Sequence, residues 1–480
     1  FALKKSGCTL LLTGSAGNVL TQLEVPALED DRSWALGPDG SYASTAQPTP
    51  GYPNTDQGRA DYLSSRPAAG GPLLISEVMP SNASYLVQSD GKCYDWVELI
   101  NTSDAPVNLK DYSLSNDPDY LEMMPLPDRV LEPGERIVII CSGNTELTGA
   151  TIHAPFTLSR RESWVYVVNL NGGFSDFMHI YDVPYQGSVG RVTGENGTYY
   201  FTKPTPGTEN GTGVAFISAT PVLETPDGVY NDVKNVEVVL SGEGEIRYTT
   251  DGSLPTANSQ LYTGPISLTS TTVIRAAAFE SGKLPSDVLT AAYVINENHT
   301  LPVVTVAVDP DEMFGAGGIH TNYWTENEIL CNVKLFENEE GFSIDCGIKM
   351  HGHTGLMNPK KSFKINFRSR YGEKYLTYPV YGDDAPQVFD SLCIRAGQDY
   401  LFAFFREELF VSLCQDMTDE VLTQRSRHCV VYINGKYFGI YNLKGYSLDI
   451  AMPRKEQVRG RGHRDFDILV DPFIGTEAAA

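Results

Sequence analysis

Residues 360–367 read Lys-Lys-Ser-Phe-Lys-Ile-Asn-Phe, and residues 432–441 read Tyr-Ile-Asn-Gly-Lys-Tyr-Phe-Gly-Ile-Tyr. Successive side chains of a β-strand point to opposite faces, so the first segment predicts a strand with Lys361 on its apolar face. The Asn434-Gly435 pair favours the positive φ angles of a type I′ turn. The second segment is therefore predicted to be a β-hairpin.

The lysine on the apolar face of this strand needs a partner. Burying an ammonium group among apolar side chains is costly unless an acceptor or an anion compensates it. We expect a phosphate or a buried carboxylate beside Lys361.

The composition indicates several small β domains in one chain. With 480 residues the chain has room for roughly three or four domains, and its 44 glycines and 29 prolines favour short strands joined by turns. The 36 basic and 60 acidic residues give a net charge of −24, which argues against nonspecific binding to nucleic acids or anionic membranes. No apolar run is long enough to span a bilayer, so no transmembrane segment is predicted.

The eight cysteines include no Cys-x-x-Cys pair, so neither a zinc ribbon nor a thioredoxin-type site is predicted. Cys331 and Cys346 flank the turn at Leu335–Gly341 and are expected to face each other across a hairpin. A disulfide between them would form in an oxidising compartment. Two buried free thiols are the interpretation that the sequence favours, and the disulfide is the alternative.

An internal repeat divides the first half of the chain. The segment Pro48–Asn54 recurs as Pro204–Asn210, and Phe1–Leu3 matches Phe156–Leu158 at nearly the same offset. A constant offset over this span indicates a duplicated domain. The second copy extends back to about Gly71, so we expect the first copy to lack its N-terminal half and the chain to be a fragment of a longer protein.

A half copy over residues 1–57 and a linker over 58–71 are predicted to precede an antiparallel sandwich over 72–210. The characteristic segments of the sandwich are Leu74–Val78, Trp96–Asn101, Leu131–Glu135 and Pro204–Gly207. At these residues the sequence resembles the lamin-tail domain family, which implies an immunoglobulin-like fold used for attachment and scaffolding, without a reaction. Asp95 and Glu98 are expected on a solvated strand face and not as a metal pair.

Residues 214–295 are predicted to form a further β module. Its characteristic segments are Tyr248–Thr256, which contains an Asp-Gly turn, and Tyr262–Ile266. At these residues the chain resembles the C-terminal domain of chitobiase and β-hexosaminidase, which implies a small sandwich with no catalysis. Three aromatic strand residues are interpreted as core, with stacking on a sugar ring as the alternative: Tyr248, Tyr262 and Phe279.

Residues 300–480 are predicted to be the N-terminal part of a truncated domain. Its characteristic segments are Gly347–Gly352, Pro359–Phe363, Arg395–Asp399, Arg406-Glu407 and Tyr432–Leu443. At these residues the chain resembles the CotH family of spore-coat kinases. The resemblance implies an α+β, kinase-like fold and transfer of the γ-phosphate of ATP, with Mg²⁺, to serine in secreted or coat proteins.

The same resemblance implies roles for three basic residues. Lys361 is the candidate phosphate-contacting lysine because it matches the family's Lys-Ser strand, and Lys360 is the alternative. Arg406 would orient a carboxylate or phosphate, or form a structural salt bridge. It lies on an amphipathic helix predicted over Tyr400–Met417. The apolar stripe of that helix is Leu401, Phe405, Leu409 and Leu413.

The chain departs from the family after the hairpin. The family usually reads Tyr-x-Leu-x-Glu there, with the acid pairing with the lysine, whereas Tyr441 and Leu443 are followed here by Gly445. The metal-binding aspartates of the family are expected beyond Ala480. No catalytic or metal-binding residue is therefore assigned, and we expect this fragment to be inactive by itself.

These interpretations predict a mainly β multidomain chain, with immunoglobulin-like β-sandwiches followed by an incomplete α+β kinase-like domain. The first functional hypothesis is the N-terminal portion of a secreted or cell-surface bacterial CotH-like kinase that acts on extracellular or coat proteins. The second is a non-catalytic surface scaffold or adhesion protein with a degenerate kinase-like domain, attached to cell wall or carbohydrate. A carbohydrate-active enzyme is a third hypothesis, but no glycosidase carboxylate pair is identifiable.

Overall fold

The computed structural model describes residues 7–445, except for 15–17, 29–32, 39, 46–48, 50–51, 56, 59–70, 145–150, 172, 196, 338–339, 383–386, 398–405 and 418–424. The chain is mostly β, with 45% strand and 6% helix. None of the helices in these ranges is long and apolar enough to cross a membrane.

Two antiparallel hairpins come first, followed by a two-sheet sandwich. The hairpin strands are β1 Cys8–Thr13, β2 Val19–Val25, β3 Ser33–Leu36 and β4 Tyr42–Thr45. The sandwich strands are β5 Leu73–Met79, β6 Asp95–Asn101, β7 Val107–Asn108, β8 Tyr112–Ser115, β9 Met124–Pro125, β10 Val130–Leu131, β11 Arg136–Cys141, β12 Ile152–His153, β13 Glu162–Asn169, β14 Gly173–Tyr181, β15 Ser188–Gly190 and β16 Tyr199–Phe201. A six-stranded sheet, β12-β11-β6-β5-β15-β16, packs on a four-stranded sheet, β14-β13-β8-β9, around one apolar core.

The two copies of the repeat form the same hydrogen bonds in their closing motif, which is Pro48–Asn54 in the first copy and Pro204–Asn210 in the second. In the second copy Asn210 donates its amide to the carbonyl of Arg191 at 2.7 Å and bonds to the Thr205 hydroxyl at 3.0 Å. In the first copy Asn54 donates to the carbonyl of Leu36 at 2.9 Å and bonds to the Thr49 hydroxyl. The duplication seen in the sequence is therefore also present in the local structure.

The strand that carries Asp95 and Glu98 differs from the expected half-exposed strand. β6 is a central strand between β5 and β11, and Asp95 is 4% and Glu98 0% exposed. The two residues are three positions apart, so their side chains point to opposite faces of the sheet. Glu98 accepts a hydrogen bond from the backbone N–H of Gly207 at 2.5 Å, and burial raises the pKa of both carboxyl groups. The expectation of a solvated face was wrong, because both faces of this strand are covered.

The β module predicted over residues 214–295 is a second sandwich built from short strands. Its strands are β17 Val222–Leu223, β18 Gly228–Tyr230, β19 Val236–Val238, β20 Leu240–Ser241, β21 Glu245–Thr249, β22 Gln260–Leu261, β23 Ile266–Leu268, β24 Thr272–Phe279 and β25 Leu289–Ile295. The main sheet has the order β18-β25-β24-β21-β22. Tyr248 is buried in the core, and the Tyr262 hydroxyl accepts the N–H of Leu240 at 3.0 Å. Tyr248 and Tyr262 are therefore both packed in or against the core of the module, as the core interpretation predicts.

The last module is a closed barrel. Its elements are β26 Val303–Val308, α1 Pro310–Phe314, β27 Ile329–Glu337, β28 Glu340–His351, a 3₁₀ turn Thr354–Met357, β29 Ser362–Asn366, β30 Leu376–Thr377, β31 Val388–Phe389, β32 Ser391–Arg395, α2 Arg406–Met417, β33 Ser426–Ile433 and β34 Lys436–Gly445. Seven strands close in the order β26-β27-β28-β29-β32-β34-β33. Asn434 and Gly435 have φ angles of 49° and 75°, so the hairpin between β33 and β34 has the predicted left-handed turn.

Arg160 joins the three modules at one point. This residue of the first sandwich is 2% exposed, and its Nη1 lies 2.8 and 2.9 Å from the carboxylate oxygens of Asp287 in the second sandwich. Its Nε donates to the carbonyl of Tyr371 at 2.8 Å, and its Nη2 lies 3.5 Å from Asp345, both in the barrel module. One buried guanidinium thus satisfies polar groups of both neighbouring modules.

Candidate functional site

The inner face of the barrel holds Lys361, as the alternation of the sequence predicts. Phe363 and Ile365 on the same face are 1% exposed, and Lys361 is 7% exposed. Its Nζ donates to the carbonyls of Leu356 and Asn358 at 2.6 and 2.8 Å. The protein groups that accept from this lysine are thus backbone carbonyls of the 3₁₀ turn and its end. Burial lowers the pKa of Lys361.

An aromatic ring completes the surroundings of each of the two neighbouring lysines. The Nζ of Lys361 lies 4.3 Å from the ring centroid of Tyr323, and that of Lys360 lies 4.4 Å from the ring of Tyr441. Lys360 also donates to the carbonyl of Ile440. Burial lowers the pKa of Lys360 as well. Both ammonium groups bridge the start of β29 to neighbouring chain segments, which is a structural use of their charge.

Helix α2 begins at Arg406, whose side chain lies outside the described part of the structure. Leu401 and Phe405 of the predicted apolar stripe also lie outside it. Leu409 and Leu413 are both 50% exposed, so this part of the stripe does not form a buried face. The helix was predicted correctly between 406 and 417. The described side chain that it directs to the barrel is Glu408, whereas the sequence had suggested Arg406.

Glu408 of helix α2 pairs with Lys444, a lysine on the outer face of the barrel. Its Oε1 lies 3.5 Å from the Nζ of Lys444, and it accepts a hydrogen bond from the side-chain amide of Asn442. The side chain of Lys444 is 2% exposed and that of Glu408 is 14% exposed. A lysine and a helix acid are thereby held together in a largely water-excluded position, where their attraction is strong.

Further cations lie on the same outer face, in rows set by the strand register. Lys349 is opposite Lys364, and Lys364 and Lys444 are both opposite Cys393. Arg395 is two positions beyond Cys393 and therefore points to the same side. We call Lys349, Lys364, Arg395 and Lys444 the basic face. It spans β28, β29, β32 and β34.

The electrostatic field of the basic face is visible in a neighbouring histidine. His351 lies two positions beyond Lys349 on β28, and burial is the largest of several causes that together lower its pKa from 6.5 to about 4. The next causes are the positive charges of Lys364, Arg395 and Lys349, in this order of effect. Lys349 is also paired with the exposed Glu326 at 2.6 Å. The histidine is therefore neutral at physiological pH, and the surrounding cations favour an anionic ligand.

Strand register also decides what Gly445 can face. Gly445 is opposite Leu392, and Leu392 is opposite Ile365. Lys361 is four residues before Ile365, which corresponds to about 13 Å along a strand. An acid at position 445 would point into the barrel, but far from the ammonium group of Lys361.

Within the described ranges, no group of three or more histidine, cysteine, aspartate or glutamate residues is arranged to hold a metal ion. The Mg²⁺ expected for the complete family domain therefore has no ligand set that can be named here. The acidic partner on the basic face, Glu408, is engaged by Lys444 and Asn442.

Sequence reasoning missed the basic face and its acid. Lys364 was visible as a residue of the outward face of β29, but Lys444 and Arg395 reach it only through the pairing of β29, β32 and β34. The one usable signal was alternation on β34, where Tyr441 and Leu443 are apolar and Lys444 is not. That pattern already places Lys444 on the face opposite the core.

The fold and this site define the chain as a mainly β multidomain protein with immunoglobulin-like sandwiches followed by a closed-barrel module. Three family models match it, in the order expected from the sequence. They are the Lamin Tail Domain over residues 66–180, the Chitobiase/beta-hexosaminidase C-terminal domain over 225–290 and the CotH kinase protein family over 348–446. No curated protein matches the chain. The basic face and the barrel strands β29, β32, β33 and β34 thus lie in the segment that is similar to CotH kinase proteins, whereas β26 and β27 precede it.

Proposed function

We propose that this chain is part of a secreted or cell-surface CotH-like protein kinase, which moves the γ-phosphate of ATP to serine in extracellular or coat proteins. The observation that carries the proposal is the buried Lys444–Glu408 pair beside further cations, in the segment that matches the CotH kinase family. Protein kinases hold a strand lysine against a helix glutamate so that the lysine can contact the nucleotide phosphates. The basic face offers the same combination on one surface.

The role of each residue follows from its position. Lys444 would contact the phosphates and Glu408 would hold it in place, since an unpaired lysine at 2% exposure would be costly. Lys364 and Arg395 would add positive charge where the polyphosphate lies. Bound Mg²⁺·ATP would supply the phosphoryl group and the metal that neutralises its charge.

Lys361, Lys360 and Arg406 remain the assignment that the family resemblance suggests. Phosphates bound by Lys361 and phosphates bound by Lys444 would lie on opposite faces of the same sheet, because Lys361 lies on the inner face and Lys444 on the outer face. The two assignments therefore make opposite predictions for single substitutions.

Binding of Mg²⁺·ATP to the two variants distinguishes them. Lys444→Met should reduce ATP affinity at least tenfold, whereas Lys361→Met should leave it within about twofold, measured by isothermal titration calorimetry on proteins with unchanged circular dichroism. Lys110→Met is a matched control, because Lys110 forms an exposed ion pair with Asp128. The reverse result would return the phosphate contact to Lys361. Loss of affinity in both variants would place the phosphates at the open end of the barrel.

The second candidate function is a non-catalytic scaffold or adhesion protein at the cell surface. Gly445 supports it, because the family usually has an acid at this position. The sandwich modules suit attachment to proteins, cell wall or carbohydrate. On this hypothesis the wild-type chain has no measurable affinity for Mg²⁺·ATP, so the same titration decides between the two functions. Phosphate transfer by this chain alone is not expected on either hypothesis.

A further inference from the structure

Two cysteines face each other inside the barrel. Cys331 on β27 and Cys346 on β28 are directly opposite in the antiparallel register, and both are 0% exposed. Their Sγ atoms are 3.6 Å apart. Opposite positions of an antiparallel pair bring Cβ atoms to about 4.5–5.5 Å, close to the spacing that a disulfide needs.

The surroundings of this pair leave few other uses for the thiols. Both belong to the apolar core of the barrel, together with Val333, Ile344 and Ile348. A structural zinc site needs four ligands, and the described residues contain no such group. Burial raises the pKa of Cys346, and so does its contact with Cys331. Both sulfurs are inaccessible, so neither thiol is suited to act as an exposed nucleophile.

We propose that Cys331 and Cys346 form a cross-strand disulfide when the chain folds in an oxidising compartment. The oxidant is a disulfide, either of glutathione or of a folding oxidoreductase. The thiolate of Cys331 attacks one sulfur of the oxidant and expels one thiolate, which leaves a mixed disulfide. The thiolate of Cys346 then attacks the sulfur of Cys331 and expels the second thiolate. Two thiols lose two protons and two electrons, and the oxidant is reduced to two thiols.

The burial of both sulfurs fixes when this reaction takes place. Thiol–disulfide exchange requires access of the oxidant to the attacking sulfur. Access exists in the unfolded chain and is lost when β27 and β28 enter the closed barrel. The bond therefore forms during folding, and the folded protein protects whichever state it then holds. The proposal is independent of the kinase function, since it concerns the inner face of the barrel.

Refolding of the full chain under two redox conditions tests the pairing. The protein is unfolded in urea and refolded with either a glutathione redox buffer or dithiothreitol. It is then alkylated in urea and digested with trypsin. Trypsin cleaves after Lys334, between the two cysteines, so the bond would link peptide 284–334 to peptide 335–349. We expect this linked pair, two hydrogens lighter than the separate thiol peptides, only after glutathione refolding.

Variants make the result specific. Cys331→Ser and Cys346→Ser should each abolish the linked pair, whereas Cys93→Ser, at a half-buried cysteine of another module, should retain it. Oxidised wild type should unfold at higher urea concentration than reduced wild type, and this difference should vanish in Cys346→Val, which keeps the core apolar. Alkylation of both peptides after glutathione refolding into a protein of native circular dichroism would overturn the proposal. A link from either cysteine to a different one would overturn it too.

Discussion

Replacing Arg160 by methionine tests whether one buried side chain holds the three modules together. Methionine keeps an apolar stem in the same space but removes every hydrogen-bond donor. The loss affects the carboxylate of Asp287, whose oxygens lie 2.8 and 2.9 Å from Nη1. It also affects the carbonyl of Tyr371, which accepts from Nε at 2.8 Å, and the carboxylate of Asp345 at 3.5 Å.

The magnitude follows from the burial of each partner. Removing one member of a fully buried ion pair typically costs about 3–5 kcal/mol. The side chains of Asp287 and Asp345 are 20% and 23% exposed, and Asp287 keeps an ion pair with Arg161, so part of this cost is recovered. The carbonyl of Tyr371 is left without its charged donor, which costs about 1–3 kcal/mol. We expect the free energy of unfolding to fall by about 2–4 kcal/mol.

Urea unfolding followed by circular dichroism measures this loss, with Arg129→Met as the control. Arg129 belongs to the same module and pairs with Glu135, but the two side chains are 48% and 36% exposed, so its loss should cost less than about 1 kcal/mol. Calorimetry of Arg160→Met should in addition resolve transitions that coincide in the wild type. If Arg160→Met is no less stable than Arg129→Met, the junction does not couple the modules.

Two further outcomes are expected in the barrel. Burial and the neighbouring cations together lower the pKa of His351 from 6.5 to about 4, so the unfolded chain takes up a proton across this range before the folded chain does. Stability should therefore fall as the pH drops from 6.5 towards 4. His351→Gln should reduce this pH dependence, measured as the urea midpoint of unfolding at each pH. An unchanged pH dependence in the variant would contradict the lowered pKa of His351. Gly435→Ala should cost about 1–3 kcal/mol, because φ is 75° and a Cβ would lie 2.8 Å from the carbonyl oxygen of Thr271. Gly317→Ala, with open space around it, is the control, and equal urea midpoints would refute the strain argument.

Local patterns in the sequence were sufficient to predict most strands. The strand Asp95–Asn101 contains the quoted segment Trp96–Asn101, and the hairpin turn at Asn434-Gly435 has the predicted geometry. Alternation and turn chemistry act over a few residues, so a single segment contains the whole signal. The inward orientation of Lys361 was predictable for the same reason.

Burial on both faces of a strand was not predictable in this way. Glu98 lies in a segment that alternates between apolar and polar residues, which is typical of a half-exposed strand. The structure places it between two strands and under the closing motif that contains Gly207, whose N–H it binds. The sequence around Glu98 contains no sign that a loop more than a hundred residues later in the chain will cover this strand.

The same limit separates Lys361 from the site that the barrel offers. Sequence alternation says which face of β29 a lysine occupies, but not what the neighbouring strands place beside it. The closed barrel fills its inner face with Phe363, Ile365, Leu392 and Leu443, all at most 2% exposed. A nucleotide is far larger than any gap in a core packed in this way, so a polyphosphate can reach the inner face only at an open end. The outer face differs in charge, because four cations share it and a helix supplies the acid that holds one of them. On the proposal that this lobe binds a nucleotide, the candidate lysine is the one that lies on the charged outer face and pairs with Glu408, which is Lys444.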